Sequence, residues 1–173
     1  MRIRRAEAND WSALRDVRLA ALADTPDAFG STLEEERRAG EEEWRGWATG
    51  DDWAGEVATF VADDGTGFVG MATGFHADDE PAVVHLFAMW VPPERRREGI
   101  GRELVEAVVT WAGHQAGVEE VVLRVTTTNE AAGHFYLSCG FADTPDPPEP
   151  LRDGSALFTR TMRRAVVPSS SSG

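Results

Sequence analysis

The residues Met89-Trp90-Val91-Pro92-Pro93-Glu94-Arg95-Arg96-Arg97-Glu98-Gly99-Ile100-Gly101-Arg102-Glu103-Leu104 carry the chemistry most easily read from this chain. The segment passes from an apolar run, through three arginines, into a Gly-x-Gly turn that opens a helix. Glycines let the backbone approach a ligand closely. The free N–H groups of a helix start point outward, and the helix dipole favours negative charge there. Arginines add charge-assisted hydrogen bonds to phosphate. The pattern therefore reads as an anion pocket. Two familiar phosphate motifs do not fit it. A dinucleotide fingerprint requires a third glycine where Leu104 stands, and a P-loop requires Gly-Lys-Ser/Thr where Gly101-Arg102-Glu103 stands. What remains is Arg96-x-x-Gly99-x-Gly101 after a strand.

The elements that must position these residues follow from periodicity and breakers. Residues 2–6 read as a first strand. Asn9 or Asp10 can cap a helix with apolar positions Trp11, Leu14, Val17, Ala21 and Leu22, ended by Pro26. A second, polar helix is expected over 32–48, ending near Gly50, with Trp44 and Trp47 on one face. Strands follow at Val57–Ala62 and Phe68–Phe75, joined by the turn Asp63-Asp64-Gly65-Thr66-Gly67. The strand Ala82–Val91 is apolar enough for a central place. After Gly101 a helix aligns Ile100, Leu104, Val108 and Trp111. Then come a strand at Glu120–Val125, a helix from about Asn129 to Cys139 stopped by Gly140, and a last strand pair including Phe141 and Ala156–Met162. The string β-α-α-β-β-β-α-β-α-β-β predicts a mixed α/β (α+β) architecture, one domain over 1–165, with a flexible tail over 166–173.

Composition narrows the function. With 42% hydrophobic and 27% charged residues the chain is no disordered segment. A net charge of −13 argues against general nucleic-acid binding and suits a cationic substrate. No apolar run reaches the ~18 residues of a membrane helix, and the first residues lack a signal core, so no membrane partner is expected. Cys139 is the only cysteine, which suits a cytoplasmic location. Its reading is a structural thiol at a helix end rather than a nucleophile. Histidines 76, 85, 114 and 134 show no ligand spacing, so no metal is expected. Assembly as a homodimer is left open.

The motif Arg96-Arg97-Glu98-Gly99-Ile100-Gly101 resembles the phosphate-binding element of the GNAT superfamily of acetyl-CoA-dependent N-acetyltransferases. A second family element, Asn-x-x-Ala-x-x-x-Tyr-x-x-x-Gly-Phe, stands here as Asn129, Ala132, Tyr136, Gly140 and Phe141. The two occur in order with a helix and a strand between, and the order of elements is similar from residue 2 to about 164. The resemblance implies a GNAT-like, mostly antiparallel central sheet flanked by helices. It implies acetyl-CoA (coenzyme A) as co-substrate, with backbone groups of Met89 and Val91 holding the pantetheine arm like an added strand. An N–H of that region would stabilise the thioester oxygen. Residues Arg96, Arg97, Glu98, Gly99, Ile100 and Gly101 would cradle the pyrophosphate, with Arg95, Arg97 and Arg102 near its oxygens. Alternatively these arginines balance Glu94, Glu98 and Glu103. Asn129 and Ala132 would border the pantetheine, Asn129 also serving as helix cap.

By the same resemblance Tyr136 protonates the departing thiolate as general acid; the competing role is core packing beside Phe135. The attacking amine must first lose a proton from a pKa near ~10.4. Candidate bases are His85 and the run Glu34, Glu35 and Glu36, each with a plain structural alternative. The resemblance also implies that the loop Ala23–Thr32 borders the acceptor; Phe29 in it, Glu34 after it and His85 on the central strand are the expected substrate contacts. The expected activity is acetyl transfer to a primary amine by direct attack in a ternary complex, the acceptor being a cationic small molecule. A protein or peptide amine is the second acceptor class, and a non-catalytic acyl-CoA sensor is the rival function.

Overall fold

The computed structural model describes residues 1–51 and 53–167. Its elements are β1 (Arg2–Arg5), α1 (Trp11–Asp24), α2 (Leu33–Arg37), α3 (Glu41–Thr49), β2 (Gly55–Asp63), β3 (Phe68–Ala77), β4 (Val83–Trp90), α4 (Ile100–Ala112), β5 (Glu120–Thr126), α5 (Glu130–Ser138), β6 (Ala142–Asp143), β7 (Glu149–Pro150) and β8 (Phe158–Ala165). One sheet runs β1-β2-β3-β4-β5-β8-β6, with β7 paired to β8. Among the described residues, β4 and β5 form its parallel pair and the other pairs are antiparallel. The expected mixed, mostly antiparallel sheet flanked by helices is the architecture found. Helix α4 makes the crossover between the two parallel strands.

Two cores cover the two faces of the sheet. Ile100, Leu104, Val105 and Val108 of α4 pack with Val84, Leu86, Val121 and Leu123. Leu14, Val17, Ala21 and Leu22 of α1 pack with Ala48, Val61, Met71 and Trp90 on the other face. The apolar stripes of α1 and α4 thus follow the helical period read from sequence.

Three expectations need correction. The helix expected over 32–48 is two helices. Thr32 and Glu35 form a capping box, with Glu35 N donating to Thr32 Oγ1 at 3.2 Å and Thr32 N to the Glu35 carboxylate at 2.7 Å. Gly40 then leaves helical geometry at φ −84°, ψ 178°, and donates its N–H to Glu43, starting α3. The polar pattern hid two start signals inside one run. The last long strand begins at Phe158 and continues past Met162 to Ala165, while Phe141 is buried just before β6. Arg160, Arg163 and Arg164 make this strand look unlike a core strand, but they pair with Asp143, Glu120 and Glu106. Val166, expected within the tail, is instead buried and donates its N–H to Glu119 O at 2.8 Å. The serine-rich residues 168–173 lie outside the described residues.

Strand β4 is bent where it matters most. Its register with β3 shifts between the Thr73–Phe87 and Met71–Trp90 pairs, and Ala88 takes φ +51°. Such a bulge reverses which face the following side chains occupy. Val84 and Leu86 accordingly belong to the α4 core, whereas Ala88 and Trp90 belong to the α1 core. Pairing of β4 with β5 ends at Leu86–Leu123, so the strands part beyond that point.

Candidate functional site

The gap where β4 and β5 part opens into a cavity of about 1220 Å³. That exceeds the ~300–1,000 Å³ of a usual single-ligand site. Its walls bring together both sequence motifs and the loop between α1 and α2.

At one end the chain makes the expected turn into α4. Gly99 has φ +87°, a left-handed conformation, and a side chain added there would meet open space. Gly101 is the opposite case: a Cβ would stand 2.8 Å from Met89 Cε and 3.1 Å from Phe135 Cζ. Glu103 N donates to Gly99 O as the helix begins, so the N–H groups between them precede the intrahelical ladder. They are donors that an anion could meet.

The arginines divide into two kinds. Arg95 is held by Asp64 at 3.1 Å and Glu98 at 3.0 Å. Arg96 donates from Nε to Val91 O at 3.0 Å and from Nη2 to Asp24 at 2.7 Å. These two brace the loop. Arg97, at φ +69°, has no side-chain partner among the described residues, and Arg102 has only Ser138 Oγ at 3.2 Å. Arg97 and Arg102 are therefore the side chains free to meet an anion. Glu98 is exposed and Ile100 is buried in the core, so both can contribute only backbone groups.

The second motif packs against this turn, with the Phe135 ring beside Gly101 and Ser138 Oγ accepting from Arg102. Asn129 caps α5, its side chain accepting from Ala132 N at 3.1 Å. Ala132 and Tyr136 follow at a spacing that shares one helix face, and both line the cavity. The Tyr136 ring is wedged between Phe135 and Phe141, with centroids 5.2 and 5.9 Å away. No described residue hydrogen-bonds its hydroxyl. Burial pushes its pKa well above the usual tyrosine value, so the hydroxyl keeps its proton even as pH rises through 10. Cys139 is buried behind it, and burial raises its thiol pKa too, which is the state of a structural cysteine.

The far end is aromatic. Phe29, Trp47, Trp53 and Phe87 line it together with Arg18 and His85. His85 is part-exposed rather than a core histidine, and its Nε2 is hydrogen-bonded to the Glu80 carboxylate. The three glutamates take separate roles. Glu34 is exposed outside the cavity and pairs with Arg38, and Glu35 caps α2. Glu36 alone reaches the cavity, where Arg18 holds its carboxylate at 2.7 Å.

Phe29 was expected at the cavity from sequence, whereas Arg18, Glu80, Trp53 and Phe87 were not singled out. A signal for Arg18 existed. It occupies the apolar stripe of α1, four residues after Leu14 and three before Ala21, a place where an exposed arginine does not belong. Among the described residues no group of three His, Cys, Asp or Glu could hold a metal ion, and no helix is long and apolar enough to cross a membrane.

Residues 18–141 match the acetyltransferase (GNAT) family. A mycothiol acetyltransferase of Thermobispora bispora is 33% identical over 135 residues, covering 76% of this chain and 41% of that protein. The chain thus matches about two fifths of that curated relative's length. An acetyltransferase of the GNAT family from Streptococcus pneumoniae superposes with a TM-score of 0.79 at 19% identity, over 95% of this chain and 98% of that one. The yncA protein of Salmonella typhimurium, solved with its cofactor acetyl-CoA, superposes at 0.75 with 19% identity, over 100% of this chain and 97% of its own. These two structures share the fold.

Proposed function

This chain belongs to the acetyltransferase (GNAT) family, and from that premise we propose that it moves the acetyl group of acetyl-CoA onto a primary amine by direct attack in a ternary complex. One domain over residues 1–165 carries the reaction. The observation that supports this most strongly is the parting of β4 from β5 beside the Gly99–Gly101 turn, with Tyr136 lining the same cavity.

The residues suit coenzyme A in kind. Gly99 leaves open space, the start of α4 offers free N–H groups, and Arg97 and Arg102 supply positive charge for a pyrophosphate. Beyond Leu86 the backbone of β4 has no β5 partner, so Met89 and Val91 can pair with an extended amide chain. Arg96 already occupies the Val91 carbonyl, so the Met89 backbone is the freer of the two. Acetyl-CoA supplies an activated thioester.

The chain's own groups then divide the work. A backbone N–H at the β4 bulge stabilises the oxygen on which negative charge develops. Tyr136, whose hydroxyl burial keeps protonated beyond the usual range, gives its proton to the sulfur as the carbon–sulfur bond breaks. His85, held by Glu80, takes the proton that the ammonium form of the amine must lose before attack, and the second proton, lost from nitrogen as the amide forms, replaces the one Tyr136 gave to sulfur. It is favoured over the glutamates because Glu36 is committed to Arg18 and Glu34 lies outside the cavity. The net charge of −13 favours a cationic acceptor.

The test is thiol release from acetyl-CoA across a panel of amines, peptides and aminoglycosides. Turnover with at least one primary amine, and an N-acetylated product by mass spectrometry, is expected. Coenzyme A binding without turnover on any amine would make the protein a sensor instead.

A further inference from the structure

Among the described residues three buried side-chain donors have no hydrogen-bond partner: Nη1 of Arg18 and the indole nitrogens of Trp44 and Trp47. Arg18 and Trp47 both line the cavity, and they touch, with Arg18 Cζ 5.2 Å from the Trp47 ring centroid. Buried donors are normally satisfied. Two donors without a partner thus belong to neighbouring residues of the cavity wall.

Arg18 is fixed for such a role. It is 5% exposed, and Phe29 lies 4.5 Å from its Cζ. Its Nε and Nη2 are committed to Glu36 at 3.0 and 2.7 Å, and Nη2 also to Ser31 Oγ at 2.8 Å. Glu36 cancels the charge and leaves the two N–H bonds of Nη1. Guanidinium and indole groups donate and cannot accept. The pair therefore suits an oxygen and offers nothing to an ammonium group.

Resting on the acetyl-transfer reading, we propose that Arg18 and Trp47 form an oxygen subsite for the acceptor. The acceptor is then an amine that also carries a carbonyl or carboxylate, as in an amino acid, its amide or a peptide. An oxygen-free polyamine leaves both donors unmet, and a site built to bond an oxygen discriminates strongly against an analogue that lacks it.

Matched amines test this: leucinamide against isoamylamine and lysinamide against cadaverine, each pair differing by one carboxamide. Free leucine and lysine form the carboxylate arm. Arg18→Lys keeps a cation for Glu36 but removes Nη1, and Trp47→Phe keeps an aromatic face but removes the indole N–H. The wild type should favour the oxygen-bearing member by at least about ten-fold in kcat/KM in one pair or more. Either variant should shrink that ratio at least about five-fold. Equal use of both members in every pair overturns the subsite, as do variants that slow both members alike. Calorimetry on the coenzyme A complex separates the two readings. Arg18-dependent binding of leucinamide over isoamylamine without turnover keeps the subsite and removes acetyl transfer. Turnover with no dependence on Arg18 or on the carboxamide does the reverse.

Discussion

Arg96 Nη2 donates to Asp24 Oδ2 at 2.7 Å, joining the head of the glycine motif to the last residue of α1. The same oxygen accepts from Trp90 Nε1 at 2.9 Å. One carboxylate thus ties the end of β4, the anion loop and α1 together. A negative charge at a helix C-terminus is unfavourable alone, and Arg96 offsets it. Asp24→Ala should loosen the loop, raising the KM for acetyl-CoA several-fold and lowering stability by about 1–2 kcal/mol, mostly through the orphaned Trp90 indole. Steady-state kinetics with a denaturant titration check it; an unchanged KM would show that the loop holds its shape without the clamp.

Gly101 sits where a side chain collides with Met89 and Phe135. Gly101→Glu should abolish coenzyme A binding while circular dichroism shows a folded protein. Gly101→Ala should be milder, because the Met89 methyl is a flexible end and can yield. Normal affinity of the glutamate variant by calorimetry would move the binding site elsewhere.

Tyr136→Phe should lower kcat by about 10²-fold with little change in acetyl-CoA affinity, the lower range for loss of a general acid. The pH signature follows from the direction of the tyrosine shift. Burial raises its pKa above the usual value of 10, so the proton-bearing form persists as pH rises through 10. The wild type should therefore show no alkaline loss of kcat at or below pH 10. A fall centred on the ordinary tyrosine value would contradict a buried, neutral donor.

His85→Gln should cut kcat/KM at neutral pH by about 10²-fold, and Glu80→Gln by less, since Glu80 acts through His85. Raising the pH toward the pKa of the amine should restore the His85→Gln rate, because solvent then removes the proton. A purely structural histidine gives no such recovery, and a flat deficit from pH 7 to 10 would reassign the base.

Much of the candidate site was legible because its residues lie in contiguous spacing. Arg96-x-x-Gly99-x-Gly101 and Asn129 through Phe141 are each set by one turn and one helix, so local sequence places Gly99, Gly101, Asn129, Ala132 and Tyr136 on the cavity wall. The helical stripes of α1 and α4 and the hairpin of β2 and β3 were read on the same ground, since period and turn residues act over a few positions.

Long-range geometry decided the rest. Which arginines stay free depended on Asp24 and Asp64, distant in sequence from the residues they hold. Glu36 reached the cavity and Glu34 did not because a capping box and Gly40 divided one polar run into two helices. The bulge at Ala88 and the end of β4–β5 pairing at Leu86–Leu123 arise from register between strands, which no single segment encodes. The sequence by itself determined the family motifs and the glycine turn at one end of the cavity. Only the tertiary structure set Arg18 beside Trp47 and left their donors unmatched, because burial and partnership are properties of the packed chain.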